Sequence, residues 1–247
     1  MTESDHSDHQ TSNPAFPPTH WTLIRGVQSG SADERKKALE ELCRTYWYPI
    51  YMFARRHGLG VEEAQDAAQD FFLRVLQQET FATADREKGR LRTWLLTQMS
   101  GCLADRARRR GRLKRGGNLV IESFDALAAE DRYRHEPANH DTPDAAFELA
   151  CARVIADEVL TGLRDEYRAR QQADRFDALR PLLFADGADD REALRARLGL
   201  KEGTLRVALH RLRDAFGARL RRRLETMVES PTDLEAEAAS IIGALSR

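Results

Sequence analysis

Residues 190–213 read DREALRARLGLKEGTLRVALHRLR, and the spacing of their leucines decides the fold. Leu194 and Leu198 lie four apart, which puts them on one face of a helix. Leu205, Leu209 and Leu212 form the inner stripe of the next helix. Between them, Leu198-Gly199-Leu200 offers a glycine where a tight turn between crossed helices needs positive φ. The pattern predicts a helix-turn-helix whose second helix presents Lys201, Glu202, Thr204, Arg206, Val207, His210 and Arg211 outward. Such a helix fits the B-form major groove, with its N-terminal side chains on base edges and flanking arginines on phosphates. A plain helical hairpin would carry the same leucines, and Arg195 stands where a close crossing asks for a small residue.

The rest of the composition agrees with helix. Val and Ile are scarce while Ala, Leu, Arg and Glu abound, a balance that favours helix over strand. The 247 residues are 32% charged and 7% aromatic, too few large apolar groups for one big core, so two small all-α domains are expected. No run of eighteen apolar residues is present, so no membrane span is expected. The first twenty residues lack the basic-then-apolar order of an export signal and read as a disordered tail. His6, His9 and His20 sit in that polar tail without ligand spacing. Cys43, Cys102 and Cys151 are scattered and odd in number, which suits a reducing cytoplasm and argues against a disulfide frame or zinc site.

The net charge of −1 conceals a segregation. Residues 86–115 hold about eleven basic side chains against two acidic, and residues 191–223 about eleven against three, which leaves roughly −18 for the remainder. Two basic blocks in separate halves suggest two contacts with a polyanion, though Arg-rich helices are also commonly solvated faces. In the first block, RLRTWLLTQMSGCLADRARRRGR (residues 90–112) sets Trp94 among Arg92, Arg106, Arg108, Arg109 and Arg110. An aromatic surface beside phosphate-pairing cations suits a separated nucleic-acid strand. The plainer reading makes Trp94 core and the arginines a solubilising tail.

Upstream, VEEAQDAAQDFFLRVLQ (residues 61–77) places Asp66, Gln69 and Asp70 at i, i+3 and i+4, one acidic patch beside Phe71 and Phe72. No histidine at ligand spacing and no phosphate loop accompanies it, so protein binding is preferred to catalysis or metal chemistry. An ordinary solvated face remains open. Before it, Leu39, Leu42, Cys43, Tyr46 and Trp47 follow helical spacing; Pro49 is expected to kink or interrupt that helix, and Gly58 to cap it. Residues 118–143 are irregular and acidic, the pattern of a linker. Helical periodicity resumes over 144–184, and a last acidic helix is expected to begin at Thr232 with a Thr-x-x-Glu capping box to Glu235. The resulting division is a tail at 1–20, a first domain at 21–115, a linker at 116–143, a second domain at 144–225 and a C-terminal helix at 226–247.

Taken in this order, the segments resemble the sigma-70 family of RNA polymerase sigma factors, of the extracytoplasmic-function (ECF) type, over roughly Trp21 to Arg223. ALEELCRTYWYPIYMFARRHG resembles region 2.1, EEAQDAAQDFFLRVL region 2.2, LRTWLLTQMSGCLADRARRR regions 2.3 and 2.4, and REALRARLGLKEGTLRVALHRLR region 4.2. The resemblance implies a region 2-like helical bundle and a region 4-like helix-turn-helix joined by a flexible acidic linker. It implies a transcription initiation factor that binds core RNA polymerase and reads minus-ten and minus-thirty-five promoter elements. Asp66, Gln69, Asp70 and Phe71 would bind the polymerase. Arg92, Trp94, Thr97, Arg106, Arg108, Arg109 and Arg110 would lie at the minus-ten element. Lys201, Glu202, Thr204, Arg206, Val207, His210 and Arg211 would face the minus-thirty-five element. No cofactor and no catalysis are implied, and an anti-sigma factor or other regulatory protein is a further expected partner. Two positions depart from the family pattern: Gly101 where Asn is common, and Leu91 where region 2.3 usually opens with Phe.

Two other readings stand beside this one. A free-standing helix-turn-helix regulator accounts for residues 190–213 but gives residues 61–110 no task. A protein-binding helical adaptor accounts for the amphipathic helices but not for two Arg-rich blocks.

Overall fold

The computed structural model describes residues 24, 26–28, 30–76, 91–110, 126–135, 142–184, 188–228 and 230–246. Every regular element among the described residues is helical. In chain order these are α1 (Ala32–Arg56), α2 (Val61–Leu76), α3 (Leu91–Arg110), α4 (Ala126–His135), α5 (Pro143–Ala169), α6 (Ala173–Leu179), α7 (Ala188–Leu198), α8 (Glu202–Glu225) and α9 (Pro231–Leu245), with a 3₁₀ turn at Arg180–Leu182 after α6. The expected tail at 1–20 and the parts of the expected linker at 116–125 and 136–141 lie outside the described residues.

Helix α1 begins at a reciprocal cap. The Ser31 hydroxyl accepts from the Glu34 N–H, while the Ser31 N–H donates to the Glu34 carboxylate at 2.8 Å. Of the two expected outcomes at Pro49, a kink or an interruption, the interruption does not occur. The proline deprives the Thr45 carbonyl of a helical partner, but every residue from Thr45 to Ala54 is buried, and that packing outweighs one lost bond. At the other end His57 is the cap and Gly58 follows at φ +84°, with the Leu59 N–H closing back on Ala54 O.

Two cores form. The first joins α1, α2, α3 and α4 to the opening turns of α5; among its largest members are Tyr46, Tyr51, Phe53, Phe71, Phe72 and Phe147. The second joins the remainder of α5 to α6, α7, α8 and α9 through Phe176, Leu194, Leu205, Leu212, Phe216 and Ile241. One helix of 27 residues thus serves both, and the expected division at residue 143 does not separate the cores. The periodicity over 144–184 also resolves into two helices. The chain turns at Gln171 (φ +58°), whose N–H and that of Gln172 return to the carbonyls of Arg168 and Tyr167.

The acidic stretch expected to be irregular contains α4, which is pinned to α1. Tyr51 donates its hydroxyl proton to Glu130 at 2.6 Å, Arg55 donates to the same carboxylate, and the Arg132 guanidinium lies 4.2 Å from the Tyr48 ring centre. The cap of α9 lies two residues earlier than expected. It is Ser230, which accepts from the Asp233 N–H, with Pro231 in the first turn; Glu235 pairs with Arg221 instead.

Gly199 occupies the predicted turn at φ +60°, and a Cβ there would meet no atom within 4 Å. Gly199→Ala therefore carries backbone strain alone and is expected to cost about 1–2 kcal/mol, read as a lower urea midpoint at unchanged slope. An unchanged midpoint would contradict the turn. Burial pushes the Glu130 carboxyl pKa up, but hydrogen bonds from Tyr51, Arg55 and Arg134 more than reverse this and hold it below its ordinary value. Its stabilising contribution is complete above the unfolded carboxyl pKa and lost as pH falls through the lower folded value. Glu130→Gln is expected to cost stability at neutral pH by a margin that narrows on acidification; a margin independent of pH would contradict this.

Candidate nucleic-acid interface

Three surfaces carry the residues singled out by sequence. On α2, Ala64, Ala67, Ala68, Phe71 and Phe72 point inward while Asp66 and Asp70 remain 65% and 57% exposed, with Gln69 half-buried beside them. Phe71 does not belong to this outer face. It is 0% exposed and meets Phe72 edge-on at 5.1 Å, so its part is to fix the helix from inside. Its spacing from Ala64 and Ala67 (i, i+3, i+7) already placed it on the inner stripe.

Arg106 reaches across from α3 to this acidic face, donating to Asp70 at 2.5 Å and Asp66 at 3.2 Å. A residue expected on nucleic acid thus neutralises the patch expected on protein. Because both carboxylates are mostly exposed, the arrangement is worth at most about 1 kcal/mol, and a denser cationic partner can displace Arg106. Farther along, Arg74 of α2 donates to Asp105 of α3 at 2.9 Å, a further tie between the two helices, and Arg108 donates to the same carboxylate from within α3 at 2.6 Å.

On α3, Trp94 is partly buried against the first core, while Thr97, Gly101 and Arg108 are exposed. They recur at i, i+3, i+7 and i+14, one face of the helix. Gly101, the position that departs from the family pattern, lies on this face with open space around it. The side chains of Arg109 and Arg110 lie outside the described set.

Arg92 points the other way, which corrects its placement at the surface. It is 3% exposed and donates to Glu237 of α9 at 2.7 Å, with Glu148 of α5 at 3.0 Å. Glu237 is itself 0% exposed. Burial alone pushes the guanidinium pKa down; the carboxylates of Glu237 and Glu148 more than reverse this and raise it above the usual arginine value. In this conformation Arg92 is a charged strut between α3, α5 and α9, and no surface it presents can touch DNA. Sequence reading missed Glu148 and Glu237 because no local pattern links residues 145 apart.

The third surface is the helix-turn-helix. Lys201, Glu202, Thr204, Arg206, Val207, His210 and Arg211 are all exposed, Val207 at 50% despite being apolar. Leu205, Leu209 and Leu212 are buried on the opposite side. Arg195 fits without distortion because it lies along α7 and pairs with Glu192 of its own helix. The basic block divides at Arg213. From there, most arginines are tied to protein groups, with Arg222 exposed: Arg213 donates to the carbonyls of Leu182 and Leu183, Arg219 to Glu166, Arg221 to Glu235, and Arg223 to Glu41 and Glu158. Much of the C-terminal half of that block is tied into the scaffold, and exposed cations outside the first three turns of α8 include Arg197 on α7 and Arg222.

Among the described residues no group of three or more His, Cys, Asp or Glu side chains is placed to hold a metal ion, and no helix is long and apolar enough to cross a membrane.

Comparison with known proteins bears on residues 21–175, which match the family model described as ECF sigma factor. The match covers α1 to the start of α6 and stops before the helix-turn-helix. The ECF RNA polymerase sigma factor SigE of Mycolicibacterium smegmatis is 28% identical over 174 residues, 70% of this chain and 57% of that protein. The chain therefore spans somewhat over half the length of this relative. No solved structure matches. The family match extends over more than half of the sequence, and the chain belongs to the ECF sigma factor family.

Proposed function

We propose that this protein is a transcription initiation factor that binds core RNA polymerase and directs it to promoter DNA. The observation that carries the proposal is the exposed acidic face of α2, Asp66, Gln69 and Asp70, standing beside α3 in a chain of this family. An anionic face fits a basic helical surface on the polymerase. Trp94, Thr97, Arg106 and Arg108 then face the opened minus-ten element, with the aromatic ring for stacking and the cations for phosphates. The outer face of α8, Lys201 to Arg211, enters the major groove at the minus-thirty-five element. Its exposure, with the leucines turned inward, supports that assignment. Region 2-like and region 4-like units are assigned to residues 21–115 and 144–225, with the qualification already drawn that α5 belongs to both cores. The reading places the protein in the cytoplasm with the polymerase, and a regulatory protein of the anti-sigma kind belongs to the same proposal.

A free-standing regulator has no use for the α2 face, and an adaptor has no use for an exposed basic recognition helix. Core polymerase titrated against a fluorescently labelled chain separates these. Asp66→Ala with Asp70→Ala is expected to weaken core affinity about tenfold or more, the scale of two lost charge contacts at an interface, with the circular dichroism spectrum unchanged. Equal affinity for the two forms would remove α2 from the interface. Arg206→Ala is expected to weaken protection of the upstream element by about 1–3 kcal/mol, the scale of one lost base or phosphate contact. A footprint identical to that of the unaltered chain would remove α8 from the groove.

A further inference from the structure

The two cores abut on a single turn of α5, where Cys151 closes the first and Ala152 opens the second. A row of ion pairs crosses that seam. Arg92 meets Glu148 and Glu237, Arg44 meets Glu158, Arg223 meets Glu41, and Arg132 meets Asp157 at 3.2 Å. The innermost pair is the one that holds the C-terminal helix. On α9, Leu234, Glu237, Ala238, Ile241 and Leu245 fall at i, i+3, i+4, i+7 and i+11, the spacing of one inner stripe. A leucine at position 237 would complete an apolar face against α5 and α8. A fully buried glutamate stands there instead and extends to α3.

The chemistry of that choice points to a contact that opens. A buried ion pair adds little net stability over an apolar pair of similar volume. Once parted, however, both ions are well hydrated, whereas parted leucines are left against water. The rest of the α9 inner face is small, with Ala238 and Ile241 as its fully buried apolar members.

We propose that α9 is an intramolecular latch: Glu237 on Arg92 keeps the first core, α1–α4 with the opening turns of α5, closed against the second, and promoter engagement requires the pair to part. The inference rests on the proposed function and extends it: Arg92, two residues before Trp94 on α3, joins the minus-ten surface only once it is released. Its guanidinium is an anion site, and the carboxylates of Glu237 and Glu148 stand where a DNA phosphate would. Distance gives a second reason. Elements centred about 25 base pairs apart are separated by about 85 Å of B-form duplex. Helix α5, on whose adjoining turns both cores are built, has 27 residues and is about 40 Å long. The two reading surfaces must move apart to engage both elements at once.

The test uses the full chain, Glu237→Lys, and the double variant Glu41→Gln with Glu158→Gln. The double variant cuts the partly exposed ties of the seam without placing a charge in a core. Small-angle scattering of the free proteins reads closure. The unaltered chain is expected near the radius of a compact body of this length, about 18 Å before any tail contribution, and both variants are expected to be several ångströms larger. Transcript yield with core polymerase at sub-saturating chain is expected to rise several-fold in both. A part that merely stabilises the fold predicts the opposite, a lower yield. Should Glu237→Lys lose its native circular dichroism, Glu237→Gln, which removes the latch charge without adding one, decides in its place, and the double variant reports on the outer ties of the seam. Unchanged radii with equal or lower yields overturn the latch and leave the proposed function intact. Larger radii with no transcript from any form support the latch and sink the proposed function.

Discussion

A guanidinium taken out of water must find carboxylates to replace it, and Arg92 finds two. They come from different helices, Glu148 on α5 and Glu237 on α9, so a single cation fixes three elements of the chain relative to one another. Tyr46 and Cys151 close over the same site. Burial raises both of their pKa values well above the ordinary, which leaves them neutral and the carboxylates as the anions of the cluster. The apolar packing around it is substantial, with Phe53 and Phe147 meeting edge-on across α1 and α5 at 6.2 Å. That packing would tolerate small shifts of register; the ion cluster would not.

The placement of the remaining charge follows a similar division. Arginines on the inner sides of helices meet carboxylates or carbonyls and act as scaffold, as Arg213, Arg219 and Arg223 do. Those on outer sides, Arg206 and Arg211 among them, are exposed. The surface that the proposed function sets in the groove is therefore smaller than the basic block suggests, and three buried leucines lie behind it. Arg106 belongs to an intermediate class. It is tied to Asp66 and Asp70 by bonds that water and salt weaken, so under the proposed function a partner on the acidic face and DNA on the basic one would act on the same residue.

The fold was legible wherever local rules determine it. Leucine spacing and one glycine were enough for the helix-turn-helix, since both a helical stripe and a positive φ are properties of a few consecutive residues. The exposed acidic face of α2 was legible for the same reason. Helix α4 was not. ALAAEDRYRH has the composition of a helix, but its charge suggested a linker, and the partners that hold it, Tyr51 and Arg55, lie 75 to 79 residues away. That α1 runs on through Pro49 was not legible, because the proline's cost is local and its compensation tertiary. The start of α9 was misjudged because two candidate caps lie within three residues; Pro231 after Ser230 was the signal that distinguishes them. The burial of Arg92 was the least legible. Beside Trp94 in a basic run the residue has every local mark of a nucleic-acid contact, and only the fold brings Glu237 to it.

Run-off transcription on genomic fragments, with start sites mapped, tests the central claim most directly. With core polymerase and this chain together, discrete start sites should arise that neither gives alone, each preceded by common sequence near minus ten and minus thirty-five. Transcripts identical with and without the chain, under conditions where a known initiation factor programs the same core, would contradict it.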